Sequence, residues 1–311
     1  MLTTVLGIVG PLFGLILLGF VSGKRRWLPE GSTPALNAFV VYLALPALFF
    51  RVMAENDPRE LWQPGFLLAF CTGTAIVFAI GYLVDRKRAR SLSEAGIDAL
   101  IASYPNTGFI GIPLCLSAFG TTGVQAAIIA CVIPVTIVFA LTIMMLEFDI
   151  HREDHGLPAA LRKTGIQLGT NPLMIAPAAG IAWHLTGIPL PAAADKLMVY
   201  LGEAATPCAL VNIGLFLSES APGAHGRVGV LVGLKLLVQP AITAVMALVV
   251  LRMPAIWSST AILLAALPTG TGPFMLATHY RFDSAVSARA ILLSTLFSVA
   301  TVTALLMLHL G

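Results

Sequence analysis

The chain has 311 residues, of which 58% are hydrophobic and only 11% are charged, and its formal net charge is +3. Soluble domains carry about 25% charged residues, so this composition excludes a soluble globular protein and indicates an integral membrane protein. The basic residues lie in short clusters between apolar runs and form no nucleic-acid-binding module, so nucleic acid is not an expected partner.

Apolar runs long enough to cross a membrane follow one another along the whole chain. At about 20 residues per span, the sequence predicts ten spans. They cover residues 2–22, 34–54, 64–84, 95–119, 122–146, 167–187, 194–217, 228–251, 257–280 and 285–309. The fold class expected is therefore an all-α integral membrane protein without a separate soluble domain.

The positions of lysine and arginine predict the orientation of the spans. If the N-terminus lies outside the cell, the outer loops hold only Arg51, Arg59, Lys196 and Arg252 of the 18 basic residues, and one further lysine lies within a span. Basic residues concentrate on the cytoplasmic side of membrane proteins. We therefore expect both termini on the non-cytoplasmic side of the cell inner membrane, because the number of spans is even.

The two halves of the chain resemble each other. Pro11-x-x-Gly14 in span one matches Pro177-x-x-Gly180 in span six, and Val41-Tyr42-Leu43 in span two matches Val199-Tyr200-Leu201 in span seven. Five spans is an odd number, so the second copy must enter the membrane from the opposite face. The sequence thus predicts an inverted repeat, with one unit over residues 1–150, a cytoplasmic connector over 151–166 and a second unit over 167–311.

Spans four and nine share an interruption by proline and glycine. The first break is Pro105-Asn106-Thr107-Gly108, and the second lies within Pro268–Pro273. Unwound backbone survives inside a membrane only where protein covers it or where it lines a cavity. Two interrupted spans at corresponding positions point to the binding site of a transporter; the alternative is that proline and glycine only kink the two spans.

A broken helix exposes the backbone N–H groups that begin its second half, and this positive helix end favours an anion. Side chains of Asn106, Thr107, Thr269 and Thr271 add donors for carboxylate oxygens, and the glycines allow close backbone approach. These features predict a small organic anion as the substrate.

The residues of span four, Asn106-Thr107-Gly108-Phe109-Ile110-Gly111-Ile112-Pro113, resemble the auxin efflux carrier family, and shorter matches extend over nearly the whole chain. The resemblance implies ten spans in two inverted repeats, as in sodium/bile-acid symporters and sodium/proton antiporters. It also implies crossing prolines at Pro113 and Pro273, a scaffold of spans one, two, six and seven against a moving transport unit, and a homodimer. The short connector is similar to bacterial members, so auxin is not implied as the substrate. The candidate substrate-binding residues are Asn106, Thr107, Gly108, Phe109, Pro113, Pro268, Thr269, Gly270, Thr271, Gly272 and Pro273.

Other polar residues inside spans are candidates for gating or coupling. Lys235 in span eight either extends to the inner surface or pairs with Glu203 of span seven, and such a pair would change as the transport unit moves. Asn37 and Asn212 are expected to hydrogen-bond between helices or to line the transport path.

Catalysis and bound cofactors are not expected. The breaks contain no aspartate or glutamate, which disfavours a cation antiporter, and the coupling ion, H⁺ or Na⁺, stays open. No ATP-binding loop occurs, and His151 and His155 do not form a zinc-protease motif. The four cysteines lack paired metal-binding spacing, so no metal site is expected. The leading hypothesis is an alternating-access carrier, with a sodium-coupled symporter or a non-pumping channel or receptor as alternatives.

Overall fold

The structure is a computed structural model, and it describes residues 2–57, 59, 63–86, 91–132, 136–150, 156–219 and 226–310. Over those residues the backbone is helical apart from short connections and one isolated antiparallel bridge between Pro105 and Thr269. The expectation of an all-α protein is confirmed. The bridge matters because it joins the two breaks predicted in spans four and nine.

The helices are named here in chain order. They are α1 (Leu2–Lys24), α2 (Ser32–Glu55), α3 (Pro64–Arg86), α4 (Leu92–Ser103), α5 (Thr107–Ala130), α6 (Thr136–Ile150), α7 (Gly156–Gly169), α8 (Pro172–Leu185), α9 (Ala192–Glu219), α10 (Arg227–Val250), α11 (Ala255–Ala265), α12 (Gly272–His279) and α13 (Ala285–Leu310).

Seven helices in the described part of the chain are long and apolar enough to cross a membrane, namely α1, α2, α3, α5, α9, α10 and α13. Of these, α5 reaches that length only when the segments on both sides of Gly120 are counted together. Two shorter helices, α8 and α11, are also apolar. The chain is therefore an integral, multi-pass membrane protein. Ten spans remain a prediction, because predicted spans four and nine are each divided into two short helices and α8 begins only at Pro172.

A sharp turn at Gly120 divides α5. Gly120 has φ 63° and ψ −149°, a backbone conformation that residues with a Cβ atom rarely adopt. After the turn the chain folds back so closely that a Cβ atom at Gly123 would overlap the carbonyl oxygen of Cys115. Two antiparallel segments therefore meet here, and the turn coincides with the predicted boundary between spans four and five.

Glycines allow the backbones of two helix pairs to pack in direct contact. A Cβ atom at Gly214 of α9 would overlap the Ile16 carbonyl oxygen of α1, and one at Gly180 of α8 would overlap the Phe50 carbonyl oxygen of α2. Small residues at helix interfaces in membranes permit this close backbone approach. The pairs α1–α9 and α2–α8 involve the four spans that the resemblance assigns to the scaffold.

The connector predicted over 151–166 is largely helical. Helix α7 covers Gly156–Gly169 and leads almost directly into α8. Residues 151–155, which include His151 and His155, lie outside the described residues.

Candidate functional site

The two breaks contact each other directly. The backbone N–H of Asn106 donates to the carbonyl oxygen of Pro268, and the N–H of Gly270 donates to the carbonyl oxygen of Tyr104, each at 2.9 Å. Backbone polar groups inside a membrane have no water to bond with. The two unwound segments therefore supply each other with hydrogen bonds at the point where they cross.

The crossing corrects one expectation drawn from the resemblance. Pro113 and Pro273 were expected at the crossing, but Pro113 is the seventh residue of α5 and Pro273 is the second residue of α12. The backbone contact is made by residues 104–106 and 268–270 instead. Proline fits the first turn of a helix because its missing N–H has no partner there in any case, so Pro273 suits the start of α12.

A cavity of about 180 Å³ lies beside the crossing. It is bounded by the two breaks and by parts of α2, α6 and α8, with a mainly apolar wall and a few polar groups, as is usual for small-molecule sites. Its lining residues are Asn37, Val41, Leu45, Tyr104, Pro105, Asn106, Thr107, Gly108, Phe109, Cys131, Thr136, Phe139, Asn171, Leu173, Met174, Gly270, Thr271, Gly272 and Met275.

Asn106, which lines this cavity, has an unpaired donor. Its Oδ1 atom accepts a hydrogen bond from the N–H of Phe109 at 3.2 Å and so caps the start of α5. Its Nδ2 atom is buried and has no hydrogen-bond partner among the described residues. A buried donor without a partner costs about 1–3 kcal/mol, so a ligand oxygen that accepts from Nδ2 would recover that energy.

Two helix N-termini also face the cavity. Thr107 and Gly108 begin α5, while Thr271 and Gly272 stand at the start of α12. Each N-terminus carries roughly half a positive elementary charge. The described lining residues include no aspartate, glutamate, lysine, arginine or histidine, so the two helix ends and the Asn106 amide dominate the electrostatics of the described part of the wall.

On the far side of the crossing, the carbonyl groups that end α11 have partners within the protein. The Lys235 ammonium donates to the carbonyl oxygen of Ala265, the last residue of α11, at 2.7 Å. Lys235 is fully buried and lies in a π-helical turn of α10, Leu234–Val238. The negative end of a helix stabilises a cation, so this position suits its ammonium group.

The carbonyl groups that end α4 are held in a similar way. Gln239, one helical turn after Lys235, donates from Nε2 to the carbonyl oxygen of Ser103 at 3.2 Å. Thr269 donates from Oγ1 to the carbonyl oxygen of Ile101 at 3.0 Å. Side chains from α10 and from the second break thus satisfy the end of α4.

The structure brings most of the predicted substrate-binding residues together. Those that line the cavity are Asn106, Thr107, Gly108, Phe109, Gly270, Thr271 and Gly272, joined by Asn37. Those that do not line it are Pro113, Pro268, Thr269 and Pro273. In this structure the Thr269 side chain is fully buried, and its hydroxyl donates to the carbonyl oxygen of Ile101 near the end of α4 instead of lining the cavity.

Two of the glycines serve packing within the protein. A Cβ atom at Gly270 or Gly272 would lie 2.9 Å or 2.7 Å from the Tyr104 ring. Their small size therefore lets Tyr104 of the first break pack against the second break. Gly108 differs, because a Cβ atom there would make only ordinary contacts with Leu45 and Cys131.

The predicted pair of Glu203 and Lys235 does not form in this structure. Glu203 is exposed on α9, whereas the Lys235 ammonium is buried against Ala265. Lys235 also does not extend to the membrane surface, because the carbonyl end of α11 provides a closer acceptor. Asn212 is buried in α9, and its Oδ1 atom has no hydrogen-bond partner among the described residues.

Several residues that line the cavity were not predicted from the sequence. Asn171 caps α8 by accepting from the N–H of Leu173 at 2.9 Å, and Asn followed by Pro172 is a recognisable helix start. Thr136, Phe139 and Met174 carry no local signal, because their place at the cavity depends on how α6 and α8 pack against the breaks.

Comparison with known proteins gives full-length matches. The profile of a family described as membrane transport protein matches residues 4–306. A provisionally named malonate transporter of Rhizobium meliloti (strain 1021) is 32% identical over 307 residues, which cover 97% of this chain and 95% of that protein. The uncharacterized transporter YfdV of Escherichia coli (strain K12) is 26% identical, with coverage of 97% and 96%. Auxin efflux carrier component 8 of Arabidopsis thaliana is 24% identical and covers 94% of each chain.

Proposed function

The chain belongs to the membrane transport protein family, which includes the plant auxin efflux carriers, and we propose that it is a secondary carrier for a small organic anion. The carrier works by elevator-like alternating access around the crossed breaks. A transporter role, and not an enzymatic one, agrees with the names of its relatives.

One observation carries the choice of an anion: Asn106 lines the cavity, and its buried Nδ2 donor has no partner among the described residues. A carboxylate oxygen would pair with this donor and lie near the N-termini of α5 and α12. Hydrogen bonds to charged groups contribute about 1.5–3 kcal/mol. The wall thus offers donors and positive helix ends to a ligand that accepts hydrogen bonds.

The charge of the wall favours a ligand with a single negative charge. Two helix ends of roughly half a charge each balance about one anionic charge, and among the described lining residues no lysine or arginine balances a second. Malonate, named for one relative, would then be carried as its monoanion. The apolar wall suits a small carbon skeleton.

Alternating access requires one part of the protein to move against another. The glycine-mediated pair α1–α9 joins span one with span seven, and the pair α2–α8 joins span two with span six. In an inverted repeat, spans one and two correspond to spans six and seven, so the first pair is equivalent to the second. This correspondence supports two inverted five-span repeats with the four helices as a scaffold. The cavity is lined from both the scaffold and the breaks, so movement of the breaks would carry a bound anion across the membrane.

Ligand-induced thermal stabilisation of the purified protein tests the anion proposal. A panel of mono- and dicarboxylates, neutral amides of the same size and organic cations is compared at equal ionic strength. A ligand at 100 times its Kd stabilises by about 2.7 kcal/mol. We expect stabilisation by at least one carboxylate and by none of the matched amides; stabilisation only by amides or cations would refute an anion site.

Transport in proteoliposomes separates a carrier from a channel or receptor on the same fold. Unlabelled malonate trapped inside should accelerate the entry of external labelled malonate, because a carrier exchanges substrates one for one. A channel would only dissipate the gradient, and a receptor would move nothing. Labelling of residues at the chain termini from outside intact cells checks the predicted orientation in the inner membrane, and light scattering in detergent checks the proposed homodimer.

A further inference from the structure

We propose that the Lys235 side chain occupies the carbonyl site at the crossing that a co-transported sodium ion would need, so anion transport does not require sodium. This inference rests on the proposed function, because it concerns the ion coupling of an anion carrier. In carriers with broken helices, sodium is held by unwound carbonyls and by the C-terminal ends of half-helices.

At the end of α11, the carbonyl oxygens of the last turn already accept hydrogen bonds. The N–H of Ala266 bonds the carbonyl oxygens of Ile262 and Leu263, and the N–H of Leu267 bonds that of Leu264. Lys235 takes the remaining one, that of Ala265. The four carbonyl groups that a helix normally leaves free at its C-terminus thus all have a donor.

Several carbonyl oxygens at the end of α4 and in the breaks also accept hydrogen bonds. Leu100 accepts from the N–H of Tyr104, while Ile101 and Ser103 accept from Thr269 and Gln239. The carbonyl oxygens of Tyr104 and Pro268 accept the hydrogen bonds of the crossing itself. A sodium ion bound to these oxygens would have to share them with their donors.

The neighbourhood of Lys235 also lacks a carboxylate that would compensate a second cation. Among the described residues, the Lys235 ammonium bonds only the Ala265 carbonyl oxygen, and neither break contains aspartate or glutamate. A sodium ion here would therefore lie inside the membrane without a carboxylate to balance its charge. The polar face of α10, with Lys235 and Gln239 one turn apart, therefore takes the place of a bound metal ion.

The test compares sodium with choline at equal ionic strength in two measurements. For the wild type, we expect labelled malonate uptake into proteoliposomes to change less than twofold, and we expect sodium to leave the Tm unchanged. Coupled ligands change each other's affinity by about 5–150-fold, so a fivefold or larger loss of uptake in choline would overturn the inference. Absence of uptake in both salts, together with no thermal shift by any carboxylate, would count against the anion carrier itself.

Variants of Lys235 make the assignment specific. Lys235→Met vacates the Ala265 carbonyl oxygen without adding a donor, and we expect this variant to gain stabilisation by sodium over choline. Lys196→Met, which removes an exposed lysine of α9, should show no such gain. A folded Lys235→Met variant that is indifferent to sodium would overturn the inference. If this variant does not fold, Lys235→Gln is used in its place, and the wild-type measurement remains decisive.

Discussion

The substitution Asn106→Asp separates the two tasks of Asn106. Its Oδ1 atom caps α5 through the N–H of Phe109, and its buried Nδ2 atom is a donor without a partner among the described residues. Aspartate retains an acceptor for the cap and is as good an N-cap residue as asparagine. The same change replaces the cavity donor with an oxygen, so it removes anion binding while it preserves the helix start.

The expected loss of affinity follows from the bond that disappears. A hydrogen bond to a charged group contributes about 1.5–3 kcal/mol, which corresponds to roughly 10- to 150-fold in Kd at about 1.4 kcal/mol per tenfold. Repulsion between the new carboxylate and the ligand adds to this loss. We therefore expect malonate, or whichever carboxylate stabilises the wild type most, to bind at least about tenfold more weakly to Asn106→Asp.

The assay is thermal unfolding at a series of ligand concentrations, which gives Kd and the ligand-free Tm from the same samples. The ligand-free Tm should fall, because burying a carboxyl group inside the membrane costs more than its favourable position at a helix N-terminus returns; Kd is therefore compared at temperatures where both proteins are folded. Asn56→Asp makes the same chemical change at the end of α2, outside the cavity, and should leave Kd unchanged. Wild-type affinity in Asn106→Asp would refute the assignment of Nδ2 as an anion ligand.

Three further predictions concern packing, the crossing and the charge of the substrate. Gly214→Ala should lower the free energy of unfolding by about 1–3 kcal/mol, because its Cβ atom would overlap the backbone of α1. Gly10→Ala, with open space around its Cβ atom, should not. A similar Tm for both variants would contradict this packing. Thr269→Val leaves the carbonyl oxygen of Ile101 without its donor and should cost about 1–3 kcal/mol, while Thr303→Val on the exposed face of α13 serves as the control in the same unfolding measurement. Malonate uptake should rise as the pH falls into the range where its monoanion dominates, whereas uptake of a monocarboxylate that stays ionised should not; a malonate profile independent of pH would show that the dianion is carried.

Much of the candidate site could be predicted from the sequence, because its signals are local. Proline and glycine inside a long apolar run leave few outcomes other than a broken helix, and both breaks occur where the sequence indicated. Asn106 and Thr271 follow as cavity residues, since the residues beside an unwound segment are the ones that face the space it opens.

Residues with equal sequence signals nevertheless have different roles, and tertiary packing decides between them. Thr269 and Thr271 are two residues apart in the same break, yet one hydroxyl holds the end of α4 while the other residue lines the cavity. The crossing geometry sets this difference, because the hydrogen bonds between residues 104–106 and 268–270 fix which face of each break points away from the cavity.

The sequence by itself determined the membrane class and the two breaks, because the length of apolar runs and the positions of proline and glycine are local features of the chain. It also carried the family resemblance through the motif of span four. Only the tertiary structure decided the partner of Lys235. From the sequence, a lysine inside a span has several acceptors within its reach, including the membrane surface and Glu203. The structure places the carbonyl end of α11 at 2.7 Å, and a buried ammonium group bonds the acceptor that packing brings to it.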